Sequence, residues 1–438
     1  MASLLEVDLL VIGGGMAGMT AAGRVASEGR SVIVVEKGDE IGGSAALSGG
    51  RLWCAPRLDV LIAETPGGDP ELGEVVFRGY GDAVEWVRSL GVWISEEESV
   101  LDFGRGYQFD VVDYLQRCRA LVESAGGHVV VNASVESLLV KGGRVEGARV
   151  SDRDGRAELS SAWTLLATGG FQGDPRLRAL HIHPQAASML LRANPNSAGD
   201  GLRLGCEAGG TTSGAMDGFY GHLMCAPVDH YPPGQFGPLA QGHSTRGVLL
   251  NWEGERFADE SLGDHVNAQR VISQPQARAV LLIDEVVRRE HGAVSLEGSE
   301  DKLDLASAYG ARLASADTWA RLSESVAGWG LDRDRVLRSI DEYNRGVSGG
   351  LLEPSRSRYA RPLDRPPFYA MEVRSGITAT HGGLKIDRRA RVVDGNAEPV
   401  PGLLAAGADA GGVYGNGYAG GLALASVFGL AAAGVVVG

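Results

Sequence analysis

Short apolar runs separated by glycine-rich turns fill the first half of the chain. Asp8 to Ile12 (DLLVI) is bulky, partly β-branched and free of proline, which predicts a short buried strand. A helical stretch from Met19 to Glu28 follows, then a second strand, Ser31 to Val35 (SVIVV), ending at Glu36. Apolar residues recur at helical spacing over Gly79 to Leu90 and over Tyr107 to Ala125. His128 to Asn132, Val135 to Val140, Arg144 to Val150 and Trp163 to Ala167 read as strands, the middle two paired around Lys141-Gly142-Gly143. A loop from Asn194 to Gly201 leads into a helix that ends near Gly209. From about Met216 aromatics, histidines and prolines become frequent. Asn251 to Arg256 reads as a hairpin turn, and two helices between Ser307 and Arg345 have Asp317 and Asp332 as N-caps. Near the end, Gly383 to Asp387 and Arg389 to Asp394 suggest a hairpin. Leu403 to Ala406 is a strand, and the cluster Gly415 to Gly421 opens a last helix.

This order predicts an α/β protein: a Rossmann-like domain with one parallel sheet and an antiparallel insert, split in sequence, into which a second, α+β domain is inserted. The inserted part is too long to be a loop. The boundaries fall at 1–215 and 380–438 for the first domain and 216–379 for the second.

The turn after the first strand carries the clearest chemistry. Gly13-Gly14-Gly15-Met16-Ala17-Gly18 is Gly-x-Gly-x-x-Gly between a strand and a helix. Gly13 makes the tight turn, Gly15 lets a pyrophosphate approach the backbone, and Gly18 lets helix and strand pack closely. The N–H groups of the helix start hold phosphates. Glu36, roughly 20 residues on, can take the ribose hydroxyls. The loop from Lys37 to Gly50, with a Gly-Gly pair at each end of a small polar stretch, lets backbone amides approach a flat ring or a phosphate.

Composition narrows the partners. A chain of 438 residues can bury two cores. A net charge of −14 without any large Lys/Arg cluster argues against nucleic acid or an anionic membrane. Cys54, Cys118, Cys206 and Cys225 are far apart and form no CxxC, so a disulfide framework and a cysteine-held metal are not indicated, and a reducing cytoplasm fits. The N-terminal MASLLEVDLL carries Glu6 and Asp8 and does not read as a signal peptide. Gly420 to Gly438 is uncharged and long enough to cross a bilayer, but its Gly/Ala content and the preceding glycine cluster favour a buried helix.

Taken in order, VIGGGMAG, VVEKGDEIGGSAALSGG, LLATGGF, NSAGDG, LLNWEGERFADE, THGGLKID and VPGLLAAGADAGG resemble the FAD-dependent fumarate reductase/succinate dehydrogenase flavoprotein superfamily. Within it, the chain resembles the ketosteroid dehydrogenase, tricarballylate dehydrogenase and urocanate reductase branches. The resemblance implies FAD, with Gly13, Gly15, Met16, Ala17, Gly18, Glu36 and Lys37 at the adenosine and pyrophosphate. It puts Gly43, Ser44, Ser48, Gly49 and Gly50 against the flavin ring, Val135 at the adenine, and Ala167, Thr168 and Gly169 on the pyrophosphate side. Asp200, Gly407 and Asp409 would lie near the flavin and its ribityl chain. Gly421, Leu422 and Ala423 would begin a helix whose positive end stabilises the reduced ring. Members with covalent FAD carry a histidine where this chain has Gly43-Ser44-Ala45-Ala46, so non-covalent FAD is implied. The inserted domain would cap the flavin, with the substrate between them.

Departures from the family pattern bear on the chemistry. The arginine that protonates substrate in fumarate reductases is missing after Arg256-Phe257-Ala258-Asp259-Glu260; Asp264 stands at about its place. A second carboxylate-binding arginine is replaced by Tyr418, and a pre-glycine histidine is displaced to His381, ahead of Gly382. His222 matches the first substrate histidine, and His243-Ser244-Thr245-Arg246 stands where the family has Glu-x-x-Arg. A bidentate arginine–carboxylate contact contributes on the order of 1.5–3 kcal/mol. An uncompensated buried carboxylate costs several kcal/mol. A four-carbon diacid is therefore disfavoured. Tyrosine in the arginine's place resembles the ketosteroid dehydrogenases, in which a tyrosine polarises a ketone. The implied reaction is dehydrogenation of the C–C bond α,β to a carbonyl. Tyr418 would donate to the oxygen, His222, His265 or Tyr220 would act as base, and His381, Arg246, Arg256 and Gly382 would line the substrate. Reduction of an activated C=C bond, oxidation of a C–OH or C–NH bond, and flavin binding without turnover remain alternatives. No CxxCH, cysteine cluster or second dinucleotide motif occurs, so electrons would pass to or from oxygen, a quinone or a carrier protein.

Overall fold

A computed structural model describes residues 6–214, 216–294 and 300–438. The reading of the N-terminal stretch as no signal peptide falls partly on residues 1–5, outside the described residues. The chain divides into two compact units: Met1–Leu177, Ala193–Phe219 and Ala379–Gly438 form one, and Arg178–Arg192 with Tyr220–Thr378 form the other.

The first unit is built on β1 (Glu6–Ile12), α1 (Met16–Ser27) and β2 (Val32–Val35). β1 pairs in parallel with β2 on one side and with the strand Gly155–Leu166 on the other. The sheet runs on through His128–Val130 beyond β2, and through Pro399–Ala405 and Arg391–Val393 beyond Gly155–Leu166. A central parallel strand is covered on both faces, which is why it reads as a continuous apolar run. Leu9, Leu10 and Val11 are fully buried. The hairpin Ser134–Lys141 and Arg144–Asp152 turns at Gly142 and Gly143 and joins Gly155–Leu166 in antiparallel fashion, the expected insert.

The final helix, Gly421–Val437, packs on α1. A side chain at Gly429 would come within 2.7 Å of the Ala17 carbonyl oxygen. Small residues therefore set this approach, and burial explains the absence of charge. Among the described residues no helix is long and apolar enough to cross a membrane.

Several boundaries differ from the sequence reading. α1 begins at Met16 inside the glycine motif, not at Met19, because Gly15 serves as its N-cap. The helix expected from Gly79 starts at Pro70, behind Asp69, whose side chain accepts from the Glu71 and Leu72 N–H groups. Proline at a first helical position costs no hydrogen bond, so Asp-Pro is a start signal here. Tyr107 lies in a strand, Gly104–Gln108, and the helix behind it, Val111–Ser124, is capped by Asp110. Thr318, not Asp317, caps Trp319–Ala327, whereas Asp332 does cap Arg333–Gly349.

The second unit is organised on the 13-residue strand Phe368–Thr380. Arg278–Asp284 and Leu313–Ala316 pair with it in antiparallel fashion, and Leu190–Leu191 in parallel. Phe219–Cys225 also joins it, and Val248–Asn251 extends the sheet beyond Arg278–Asp284. Segment 178–192 was expected in the first domain. It belongs to the second because Leu190 and Leu191 take their strand partners at Gly376 and Ile377.

Candidate functional site

In the first unit the glycine turn has the shape a dinucleotide needs. Gly13 has φ +108°, and a Cβ there would sit 2.2 Å from the Ala167 carbonyl oxygen. A Cβ on Gly18 would sit 2.0 Å from the Gly13 oxygen. Gly15 is different: the nearest atom to a Cβ would be the Gly42 oxygen at 3.8 Å, so the space before it is open. No side chain caps α1, and its first turn holds no acid, so its leading N–H groups at Met16, Ala17 and Gly18 stay available to an anion. Glu36 is buried at the end of β2, and its two oxygens accept from the Gly14 and Gly38 N–H groups at 2.7 and 2.6 Å. Lys37 forms an ion pair with Asp200 at 2.7 Å. Open space at Gly15, an uncapped helix start and a fixed acid fit a bound dinucleotide.

The other sequence-predicted contacts surround this turn. The Gly42 N–H donates to the Gly14 oxygen at 2.8 Å, drawing the Gly43–Gly50 loop against the motif. Ser44 accepts from the Asn194 N–H at 3.0 Å, and Ser48 donates to the Ala45 carbonyl at 2.6 Å. Gly49 has open space, while Gly50, at φ +70°, backs onto the Phe109 carbonyl. Val135 lies in its strand opposite Val150; it is Ala133 whose N–H bonds the Glu36 carbonyl at 3.0 Å. Asp409, read as a ribityl contact, is buried and accepts from the Thr168 N–H, the Thr168 hydroxyl and the Gly170 N–H at 2.5, 3.1 and 3.0 Å. Its carboxylate fixes the loop Ala167-Thr168-Gly169, and burial pushes its carboxyl up despite those bonds. Gly407, at φ +67°, lies beside Ala17.

At the start of the final helix the Gly421 N–H donates to the Tyr418 hydroxyl at 2.8 Å, with Leu422 and Ala423 next in the first turn. Tyr418 stacks edge-on against Trp53 and Tyr414, ring centroids 5.7 and 6.1 Å apart, and burial pushes its phenol up. It therefore stays protonated near neutral pH, and an accepting hydroxyl keeps its own hydrogen to donate. His381 is buried, bonds the Gly415 carbonyl through Nδ1 at 2.6 Å and lies edge-on to Tyr414. Gly382 backs onto Met216, where a Cβ would be 2.6 Å from Cα. Trp53 and Tyr414 were not foreseen, since isolated aromatics carry no motif.

The second unit holds a separate cluster. Tyr220 and His222 stand two residues apart on the strand Phe219–Cys225 and so share a face. The Tyr220 hydroxyl and His222 Nε2 are 2.8 Å apart, and His222 Nδ1 is 2.5 Å from an Asp264 oxygen. The His222 and Asp264 side chains are 22% and 13% exposed, so water screens this pair little. Asp264 opens the helix Asp264–Val271, whose N-terminus favours a carboxylate. Burial alone would raise its carboxyl, but the His222 imidazole, then His265 and Arg192, hold it down at about 2. His265 folds back over Gly263, where φ is +129° and a Cβ would sit 2.6 Å from the ring; burial lowers its imidazole. Arg192 is buried and donates to the Thr378 hydroxyl and the Phe236 carbonyl at 2.9 and 2.7 Å.

Of the two predicted substrate arginines, Arg256 is engaged elsewhere. Arg256 donates to both oxygens of the fully buried Glu260, with Arg356 on the same carboxylate, and to the Pro354, Ala258 and Ser355 carbonyls. Its donors are engaged in holding the loop together. Arg246 stacks on Tyr359 with its guanidinium 3.3 Å from the ring centroid. Asp264 and Arg192 are the functional candidates that the sequence reading did not assign. Replacing a cation by an acid next to a histidine is itself a signal for Asp264; nothing local marks Arg192.

The first unit carries a glycine turn shaped for a dinucleotide, and the second unit holds its own acid–base cluster. The chain matches the model of the FAD binding domain family over residues 8–424 and belongs to that family. It is 27% identical to fumarate reductase (cytochrome) of Shewanella frigidimarina, over 96% of this chain and 75% of that one. It is 26% identical to 4-oxocyclohexanecarboxylate 2-dehydrogenase of Sinomonas cyclohexanicum, over 94% of this chain and 89% of that one. The fold is that of 3-ketosteroid-Δ4-(5α)-dehydrogenase from Rhodococcus jostii RHA1, with a TM-score of 0.77, 21% identity, and coverage of 99% of this chain and 97% of that one. The open form of a flavocytochrome c3 fumarate reductase gives 0.73 at 23% identity, covering 99% and 78%. The protein is thus a FAD-dependent oxidoreductase of the fumarate reductase/succinate dehydrogenase flavoprotein superfamily, and FAD is its cofactor.

Proposed function

We propose that the protein dehydrogenates the C–C bond α,β to a carbonyl group of a small organic substrate. The observation that carries this reading is the second unit's hydrogen-bonded chain Tyr220–His222–Asp264, with an acid where fumarate reductases have their proton-donating arginine. A carboxylate-backed imidazole and phenol suit removal of a proton next to a carbonyl. They are poorly suited to gripping a diacid. The Tyr418 hydroxyl, held by the Gly421 N–H, supplies a donor for the carbonyl oxygen as charge develops on it. FAD, when bound, supplies the hydride acceptor. Gly13, Gly15, Met16, Ala17, Gly18, Glu36 and Lys37 hold its adenosine and pyrophosphate, without a covalent link to the chain. One relative's name supports a ketone substrate, a 4-oxocyclohexanecarboxylate 2-dehydrogenase, whereas a fumarate reductase, a vinyl phenol reductase and a urocanate reductase favour reduction of an activated double bond as the second reading. Electrons then pass to an external acceptor such as oxygen, a quinone or a carrier protein.

Anaerobic mixing with a panel of cyclic ketones, enones and carboxylates tests this. The holoprotein bleaches with a saturated ketone, and Tyr418→Phe slows bleaching by about a hundredfold while retaining FAD. Bleaching only by a reduced dye, reversed by an enone or enoate, would show the protein to be a reductase of activated double bonds instead.

A further inference from the structure

We propose that Asp264 is the positioning residue of a proton relay in which the Tyr220 hydroxyl exchanges a proton with the substrate and His222 Nε2 receives it. The inference rests on the dehydrogenation proposed above and assigns its base.

The geometry runs in one direction. Asp264 lies at the start of the helix Asp264–Val271, fixed there by the left-handed turn at Gly263. An ionised carboxylate only accepts, so the 2.5 Å contact requires a proton on His222 Nδ1. In the neutral imidazole this leaves Nε2 bare, facing the Tyr220 hydroxyl at 2.8 Å. Asp264 thus selects the tautomer that accepts the phenol's proton. An ordinary phenol is ionised in only about one molecule in a thousand at pH 7, so Tyr220 alone would be a poor base. Passing its proton on to Nε2 removes that handicap.

The step balances as follows. The substrate Cα–H bond breaks and its proton joins Tyr220 Oη, while the Tyr220 O–H proton moves to His222 Nε2. The freed electron pair forms the new C=C bond, and FAD, when bound, would supply the acceptor for the hydride that the neighbouring carbon loses. The imidazolium so created is neutralised by Asp264. Other charges reach the cluster: Arg192 acts on Tyr220 and Asp264, and His265, His243 and Lys302 act on Asp264. Arg192 is buried, and its positive charge favours negative charge on the Tyr220 oxygen during transfer.

The test is exchange of the α-hydrogens of cyclohexanone with D2O, followed by NMR under argon with the holoprotein reduced by dithionite, so that hydride transfer is silent. Wild type catalyses exchange. Asp264→Asn, whose amide donates to Nδ1 and forces the opposite tautomer, lowers the rate at least a hundredfold, and Asp264→Glu restores part of it. Tyr220→Phe abolishes exchange yet keeps the downfield His222 Nδ1–H resonance, which His222→Gln and Asp264→Asn both lose. Retained flavin and an unchanged thermal midpoint show that the variants are folded; if Asp264→Asn fails this check, the Tyr220→Phe and His222→Gln results decide. Lack of exchange by wild type, an Asp264→Asn rate equal to wild type, or full exchange by Tyr220→Phe would overturn the relay. Exchange without bleaching of the oxidised holoprotein by any ketone sinks the dehydrogenation and leaves the relay standing. Bleaching with an unaffected Asp264→Asn does the reverse.

Discussion

His243 shows how much a single side chain can reveal. It is 3% exposed, and among the described residues neither ring nitrogen has a hydrogen-bond partner. Burial, with the Lys302 ammonium second, pushes its imidazole down to about 4, so it is neutral in the folded protein near pH 7. In the unfolded chain it titrates near the ordinary value of about 6.5. The unfolded state therefore binds more protons between these values, and stability is complete above about pH 6.5 and falls as pH drops toward 4. The difference corresponds to about 3 kcal/mol. Urea unfolding at pH 7 and pH 4.5 should show wild type losing up to about that much more than His243→Phe; parallel losses would contradict this burial cost. The sequence identified His243 only by its place in a motif, because orphaned burial arises from packing by residues remote in the chain. His222 was readable as a candidate from the family resemblance, and Tyr220 as its neighbour in an aromatic- and histidine-rich stretch. Their dependence on Asp264 was not, since 42 positions separate His222 from Asp264.

At the scale of elements, glycines that enforce close approach were readable, and pairings across long stretches were not. The β1–α1–β2 unit followed from its apolar runs and from Gly13, Gly15 and Gly18. The helix starts at Pro70 and Val111 were missed because the cap, Asp69 or Asp110, is a local signal that apolar spacing ignores. The attachment of segment 178–192 to the second unit depends on a strand partner near residue 376, which no local pattern announces. Two glycine substitutions separate dihedral strain from close approach. Gly29 has φ +73° and nothing within 4 Å of a Cβ, so Gly29→Ala costs about 1–2 kcal/mol. Gly13→Ala adds a clash with the Ala167 carbonyl and should cost at least about 3 kcal/mol and release FAD. Denaturant unfolding and flavin absorbance after gel filtration measure both. Equal costs, with flavin retained in each, would contradict a turn that admits no side chain.

For the whole molecule, sequence and structure agree on two units more than on their borders. A split α/β unit carries the cofactor motif, readable from Gly-x-Gly-x-x-Gly, and the second unit, announced by the change to aromatics, histidines and prolines after about Met216, carries the acid–base cluster. Arg256, expected to grip substrate, instead holds a buried ion pair, and Arg246 stacks on the Tyr359 ring. Their types were visible in the chain, but their partners were not. What remains to distinguish this oxidoreductase from its reductase relatives is the fate of two hydrogens on neighbouring carbons. The most direct measurement is product analysis after a stoichiometric anaerobic turnover with a saturated cyclic ketone. The account predicts one equivalent of the α,β-unsaturated ketone, two mass units lighter with new vinylic protons, for each flavin bleached. Bleached flavin accompanied by an oxidised alcohol or amine, with every ring hydrogen in place, would contradict it.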